Sequence, residues 1–502
     1  MVGGGPPGRT AGEPAAQRSG FLPRRRPRRC CVAGSRIRIR LPRRGPDTGT
    51  TCARARGTSA ARPGRGTAGG RRAGPAGPRA GPRRGYGGRA PPPARPPPRP
   101  LEGIRVLDLT WVLAGPYCTR ILADHGADVV KVESRGRPDP TRFAPFMHLS
   151  RGPHDDPDTS GYFNDVNRNK RSITLDTRSP EGLEVLADLL AHSDVVVENF
   201  SSTVMTKMGF GYERLCALRP DIIYVSMSGT GHTGPHSGWV SYADIVSAAT
   251  GLTALTGWSA DEVVGVIYGH GDIVAGLQAA TAVLAALDHR DRTGRGQHID
   301  LSQLEAMASH MGAAVLRATG SGRPGEPIGN AHPTMAPHGV FPCLGPDRWC
   351  AIAARDDTDW RQLCAVIERP EWAADSRFDS VAGRRRHAEP IAAAITEWTR
   401  PLPAELVSER LQRAGVPAGP VRNGRDLVET DPQLRAREFY VRGVHPKVGA
   451  FLHEGSPIRV GEPVTVRRAA PLLGADTDAV LRDIAGYGPE TIERLRAAGI
   501  LT

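Results

Sequence analysis

What this 502-residue chain has little of narrows its function first. Its eight cysteines, Cys30, Cys31, Cys52, Cys118, Cys216, Cys343, Cys350 and Cys364, form no CxxC pair and share no metal-ligand spacing. No metal is expected, and a reduced, cytosolic compartment fits this cysteine usage. No run of 18 apolar residues occurs, so no membrane-spanning helix is expected. Residues 1–100 hold no lysine and only two acids, Glu13 and Asp47, against 24 arginines. Their net charge is 24 − 2, or +22, so of the chain's +14 the residues from Leu101 onward carry −8. The basicity belongs to the leader and does not mark the body for nucleic acid.

That leader adds 20 Gly and 18 Pro to its arginines. It offers too little apolar surface to offset the chain entropy lost on ordering, so residues 1–100 read as disordered. Three origins compete. A transit peptide would be Arg-rich and acid-poor, but Gly and Pro oppose the amphipathic helix it uses. A nucleic-acid-binding tail would neutralise phosphates, but only Phe21 and Tyr86 could stack on bases. The third is translated leader upstream of the true start.

From Leu101 the periodicity changes. Gly103–Thr110 reads as a buried strand, Pro116 as part of the first turn of a helix reaching His125, and Ala127–Glu133 as a second strand. This is a βαβ unit, which implies a parallel sheet. The alternation continues with a capped helix from Ser179 to His192, a strand at Asp194–Glu198, a short helix from Tyr212 and a strand at Asp221–Ser228. A long buried helix is expected over Ile273–Leu287, a charged turn at Arg290–Gly296, a strand at Gln297–Leu301 and a helix over Leu304–Thr319. The fold class is therefore α/β with an open sheet of Rossmann type. Residues 101–325 form the large domain, 330–430 a smaller strand-and-helix domain after a Gly/Pro-rich linker, and 431–502 a C-terminal segment with two final helices.

These residues resemble the class III CoA-transferases. The resemblance rests on Leu101–Thr110, Ala114-Gly-Pro, Gly126–Glu133, Asn167–Ser172, Glu198-Asn-Phe200, Met208-Gly-Phe210, Thr293–Gln297, Gly329–Pro333 and Gly415–Pro420, in that order. An ordered series of matches is far more specific than any one motif. The resemblance implies a Rossmann-like large domain, a smaller domain, a C-terminal return to the large domain and an interlocked homodimer. It implies a cytoplasmic enzyme that moves CoA from an acyl-CoA donor to a carboxylic acid. The CoA thioester is a substrate, and no permanently bound cofactor is needed.

The family's catalytic aspartate falls on Asp272, in Gly269-His-Gly-Asp272. On spacing alone Asp272 reads as a plain helix N-cap, whose backbone bonds and helix dipole would favour the carboxylate. The family match is what makes it the nucleophile, with Gly269 and Gly271 leaving room for substrate and offering N–H groups to the oxyanion. The same match places Trp111, Val112, Ala114, Asn199, Phe200 and Met208 along the CoA. It gives Arg135, Lys170, Arg171 and Lys207 to its phosphates. Lys207 and Arg135 read equally well as solvated charges, and Phe200 as core. Trp111 and Leu113 stand where formyl-CoA transferases carry His and Gln, which points to a larger or more apolar acyl group. The acyl-CoA racemases of the family need a histidine where this chain has Tyr242 and Ala243, and His270 is too near Asp272 in sequence to serve the opposite face. Transferase is favoured over racemase. An NAD-dependent dehydrogenase is the alternative of another class. Its only motif, Gly229–Gly234, is followed by Pro235 and Gly238 rather than a helix.

Overall fold

A computed structural model describes residues 99–143, 156–266, 268–459 and 465–502. All lie within one compact unit, Pro91–Thr502. The leader read as disordered falls outside the described residues, apart from Arg99 and Pro100.

Six strands form the principal sheet: β1 (Arg105–Asp108), β2 (Asp128–Glu133), β3 (Arg171–Thr174), β4 (Val195–Glu198), β5 (Ile223–Ser228) and β6 (His298–Ser302). Their order is β3-β2-β1-β4-β5-β6, and every pairing is parallel. Strands such as Val195-Val-Val-Glu198 are buried end to end, as a parallel sheet covered on both faces requires. The chain reverses its direction of travel between β1 and β4. A crevice opens there beyond the carboxyl ends of the strands. Strand β3 was not among the expected elements: Arg171-Ser-Ile-Thr174 is short and mostly polar, and becomes a strand by pairing with β2.

Helices α1 (Ala114–Asp124) and α4 (His270–Thr293) cover one face, packing on Val106, Val195, Ile223 and Val225. They approach closely at Gly276, where a Cβ would stand 2.7 Å from the Ala114 carbonyl oxygen. Helix α2 (Pro180–Ala191) covers the other face. It begins where expected: the Ser179 hydroxyl accepts a bond from the Gly182 N–H, and Pro180 occupies the first turn. Its Leu186 is fully buried, so Leu186→Ala would cost about 2–5 kcal/mol. The last two helices, α10 (Thr477–Asp483) and α11 (Pro489–Ala497), share that face through Val480, Leu481 and Leu495. The outer edge of β3 meets the same segment, with Ser172 N–H donating to Asp476 at 2.9 Å and, just beyond the strand, Asp176 N–H to the Ile500 carbonyl at 2.8 Å.

A second core surrounds an antiparallel sheet of β7 (His338–Pro342), β8 (Trp349–Ala353) and β9 (Ala418–Pro420), in the order β9-β8-β7. Helices α7 (Asp357–Val366), α8 (Ala388–Thr399) and α9 (Ala404–Arg413) pack on it through Leu363, Ile395 and Leu411. A hairpin, β10 (Tyr440–His445) and β11 (Gly449–Glu454), follows.

Three expectations about helices are corrected. Helix α4 begins at His270, before Asp272, and absorbs most of the anticipated charged turn, ending at Gly294 with φ +70°. Arg290, in the last turn, pairs with Asp194 at 3.0 Å. The helix expected over Leu304–Thr319 is two, α5 (Gln303–His310) and α6 (Gly312–Ser321), broken at Met311. Helix α4 also has the length and apolarity to cross a bilayer, although half of the qualifying stretch is buried inside the protein. It is not buried all round, since Leu277 and Leu284 are exposed.

Candidate active site

The crevice between β1 and β4 is a cleft of about 520 Å³. Its walls include the loops that leave the two strands, which one side chain holds together. Asn199 accepts from the Trp111 N–H and donates to the Trp111 carbonyl, both at 2.7 Å. Val112, next in the chain, has φ +66°, a strained conformation for a β-branched residue. The Asp139 carboxylate accepts its N–H at 3.3 Å. The Trp111 ring meets Phe200 edge-on at 5.8 Å, and the Arg137 guanidinium lies over it at 4.7 Å. Beneath Phe200, Glu198 accepts the Phe200 N–H at 2.7 Å and the Tyr224 hydroxyl at 2.9 Å. Burial, with Asp300 nearby, nevertheless pushes Glu198 up to about 7.

Asp272 lines this cleft. It is not the N-cap: the cap residue is Gly269, and Asp272 lies in the first turn of α4. The expected preference for the carboxylate is reversed as well. Burial pushes Asp272 up to about 6, the charge of Asp244 adds to this, and a hydrogen bond from the Gln303 side chain partly offsets both. Helix α3 (Ala243–Ala249) presents Asp244, and Gln303 opens α5 directly after β6. Tyr162 is near as well, its hydroxyl pushed up by burial and by the charge of Asp272. Gly269 has φ +61°, and a Cβ there would stand 2.6 Å from Leu113 Cδ2 and 3.1 Å from an Asp272 carboxylate oxygen. The nucleophile candidate therefore depends on glycine's conformational freedom and on its lack of a side chain.

Trp111, Val112, Asn199, Phe200 and Met208 line the cleft with Asp272. The other predicted residues do not. Ala114 is buried at the start of α1, and Gly271 packs toward Met307 and Val246. Lys207 is exposed at the end of a short helix, Val204–Lys207, one residue before Met208. Arg135 is exposed and donates to the Leu473 carbonyl at 3.4 Å. Lys170 is corrected outright. It is fully buried, paired with Asp108 at 2.9 Å, and donates to Pro116, Thr119 and Asn167. Despite full burial, Lys170 and Lys131 hold Asp108 below the usual carboxylate range. Arg171 begins β3 at the opposite end of the sheet, bound to Asp128 at 2.8 Å.

Sequence reasoning missed Gln303, Asp244, Tyr162 and Arg137. The first three approach Asp272 only through tertiary packing. Arg137 had a readable signal, a cation just after the β2 loop, and carries no ion pair among the described residues. Asp165, His453 and Glu454 also converge closely enough to hold a metal ion. Arg120 already pairs with both carboxylates and offsets part of their charge.

A Rossmann-type crevice with a part-buried carboxyl beside an apolar, arginine-tipped groove is suited to acyl transfer involving a long anionic carrier. Residues 101–477 match the model of CoA-transferase family III. The chain belongs to that family and is an enzyme of CoA transfer.

Among its relatives is a succinyl-CoA:mesaconate CoA-transferase of Haloarcula hispanica. The two are 38% identical over 397 residues, covering 78% of this chain and 98% of that protein. The chain spans about half the length of another relative, a Mycobacterium tuberculosis protein named "Probable CoA-transferase"; they are 35% identical, with 79% of this chain covered. The crystal structure of a CAIB/BAIF family protein from Brucella suis superposes with a TM-score of 0.69 at 32% identity, over 77% of this chain and all of that one.

Proposed function

We propose that Asp272 is the acyl-accepting nucleophile of a transferase that moves CoA from an acyl-CoA to a carboxylic acid. The observation that carries this reading is a carboxyl lining the cleft at the strand switch point, bonded by Gln303 and free of any cation among the described residues. The ionised Asp272 attacks the donor thioester carbonyl, the carbon–sulfur bond breaks, and a mixed anhydride and CoA thiolate form. The thiolate attacks the Asp272 acyl carbon and expels the donor acid, leaving an aspartyl-CoA thioester. The acceptor carboxylate attacks that thioester, releasing thiolate and forming a second anhydride. Thiolate attack on the acceptor's carbonyl then gives the new acyl-CoA and regenerates Asp272. First-turn N–H groups of α4 have no intrahelical acceptors and can bind the developing oxyanions.

In this reading Trp111 and Phe200 flank the pantetheine arm, and Arg137 takes a CoA phosphate. A dicarboxylic acceptor with succinyl-CoA as donor is supported by the Haloarcula relative's name. Where a racemase would require a histidine near Asp272, Asp244 approaches instead, and His270 is exposed and off the cleft. We also assign the enzyme to the cytoplasm and to an interlocked homodimer. All five described cysteines are free thiols, and Leu277 and Leu284 on α4, with Val315 and Leu316 on α6, leave apolar surface uncovered.

Incubating the enzyme with succinyl-CoA and dicarboxylates should give new thioesters. Mass spectrometry of the stalled enzyme should find CoA on the peptide bearing Asp272. An Asp272→Ala enzyme that transfers CoA at the normal rate overturns the assignment. Light scattering should give twice the chain mass, and a monomer counts against the interlocked form.

A further inference from the structure

A second cavity of about 260 Å³ lies at the amino ends of β2 and β3, between Asp128, Asn169, Arg171, Arg467 and Arg468. The cleft is at the carboxyl ends of the same strands. The length of β2 alone separates the two by roughly 17 Å. We propose that this second cavity is an anion site that takes a compact phosphate group, inorganic phosphate or diphosphate, independently of the cleft.

The architecture is that of a built site. Asn169 stands in a left-handed conformation, φ +63°. Its side-chain oxygen accepts the N–H groups of both Arg467 and Arg468, at 2.8 and 3.1 Å, and its own N–H donates to the Arg468 carbonyl at 2.9 Å. One side chain thus fixes two consecutive arginines at the cavity wall. Arg171 faces them from β3. Arg99 approaches from behind Gly126, where a Cβ would stand 2.7 Å from the Arg99 Cβ.

These four guanidinium groups are unevenly neutralised. Arg171 has Asp128, and Arg468 has Asp476 at 3.0 Å. Arg467 donates only to the Ala123 carbonyl and has no carboxylate partner among the described residues. Arg99 donates to Thr465 at 3.3 Å, and its other terminal nitrogen is buried without a partner. Burial and the charge of Arg99 disfavour the charged form of Arg467, only partly offset by Asp124 and Glu102. An anion bridging Arg467 and Arg99 would supply the missing negative charge. The planar forks of arginine suit the several oxygens of a phosphate, and the volume admits a phosphate or diphosphate rather than a nucleotide.

The test is thermal unfolding of the full chain in phosphate or pyrophosphate against sodium chloride of equal ionic strength. Wild type, Arg467→Gln, Arg468→Gln and the cleft variant Arg137→Gln are compared, each with its fold checked by circular dichroism. The leader arginines are common to all four proteins. Phosphate should raise the melting temperature of wild type and of Arg137→Gln alike. The affinity read from the concentration dependence should weaken about ten-fold or more in Arg467→Gln. Arg468→Gln should weaken it too, and decides the matter if Arg467→Gln does not fold. No phosphate-specific rise in wild type overturns the proposal, as does a wild-type response in both cavity variants or a response lost in Arg137→Gln alone.

Discussion

Protonating Asp272 should stop the reaction in a pH range where most carboxylates remain ionised. Burial and the charge of Asp244 push its ionisation up to about 6. About a tenth of the carboxyl is then ionised one unit below that value and about nine-tenths one unit above, so the transfer rate at saturating substrate should rise about ten-fold across that interval. Asp244→Asn removes one of the two upward causes and should move the rising limb to lower pH. Gln303→Leu removes the downward cause and should move it to higher pH. Glu198, pushed up to about 7 beneath Phe200, is the nearby group that could imitate this limb, and Glu198→Gln should leave the limb in place. The same shift has a cost in stability. A carboxyl whose ionisation is raised on folding contributes stability that is fully present below its ordinary value and is lost as pH rises through the folded one. Two units correspond to about 3 kcal/mol, reduced to about 1–2 kcal/mol by partial exposure. Asp272→Asn should therefore be inactive yet more stable than wild type at neutral pH, with the difference vanishing near pH 4. Urea denaturation at several pH values measures it. A flat rate profile, or an Asp244→Asn limb displaced upward, would refute the reasoning.

Other perturbations separate binding, chemistry and folding. Trp111→Ala removes both the cleft wall and the platform under Arg137, and should raise KM for acyl-CoA about ten-fold with kcat little changed in steady-state assays. Gly269→Ala puts a methyl group against Leu113 and the Asp272 carboxylate at a positive φ. It should reduce kcat far more than it raises KM, with a stability loss of about 1–2 kcal/mol. Lys170→Met leaves Asp108 buried without its cation and should cost about 3–5 kcal/mol in denaturation. A change confined to KM would return Lys170 to substrate binding.

Much of the fold was legible because parallel strands buried on both faces read as unbroken apolar runs. Val195-Val-Val and Ile222-Ile-Tyr-Val are such runs, and Ser179-Pro180 marks a helix start through local chemistry alone. β3 was not legible because its four residues acquire strand character only beside β2. The site was half legible. Trp111, Asn199 and Phe200 follow strands, where loops converge on the switch point. Lys170, given to the CoA phosphates by the family resemblance, is instead buried by the fold on Asp108, which no local pattern shows. Gln303 and Asp244 could not be found from local pattern, since sheet order and helix packing, not spacing, bring them to Asp272.

The packing of α10 and α11 beneath the sheet bears on how the protein is made. Asp476 bonds to Ser172 across 304 positions of sequence, and Ile500 and Leu501 belong to the same buried cluster as Val196 and Tyr224. While the chain is still emerging from the ribosome, β1 to β5 can assemble with one flank covered only in part, by α2, because the residues that complete the cover are translated last. Until then that flank is a sticky surface needing a chaperone or a short wait. A nonsense codon anywhere in the final helices would leave that cover permanently incomplete.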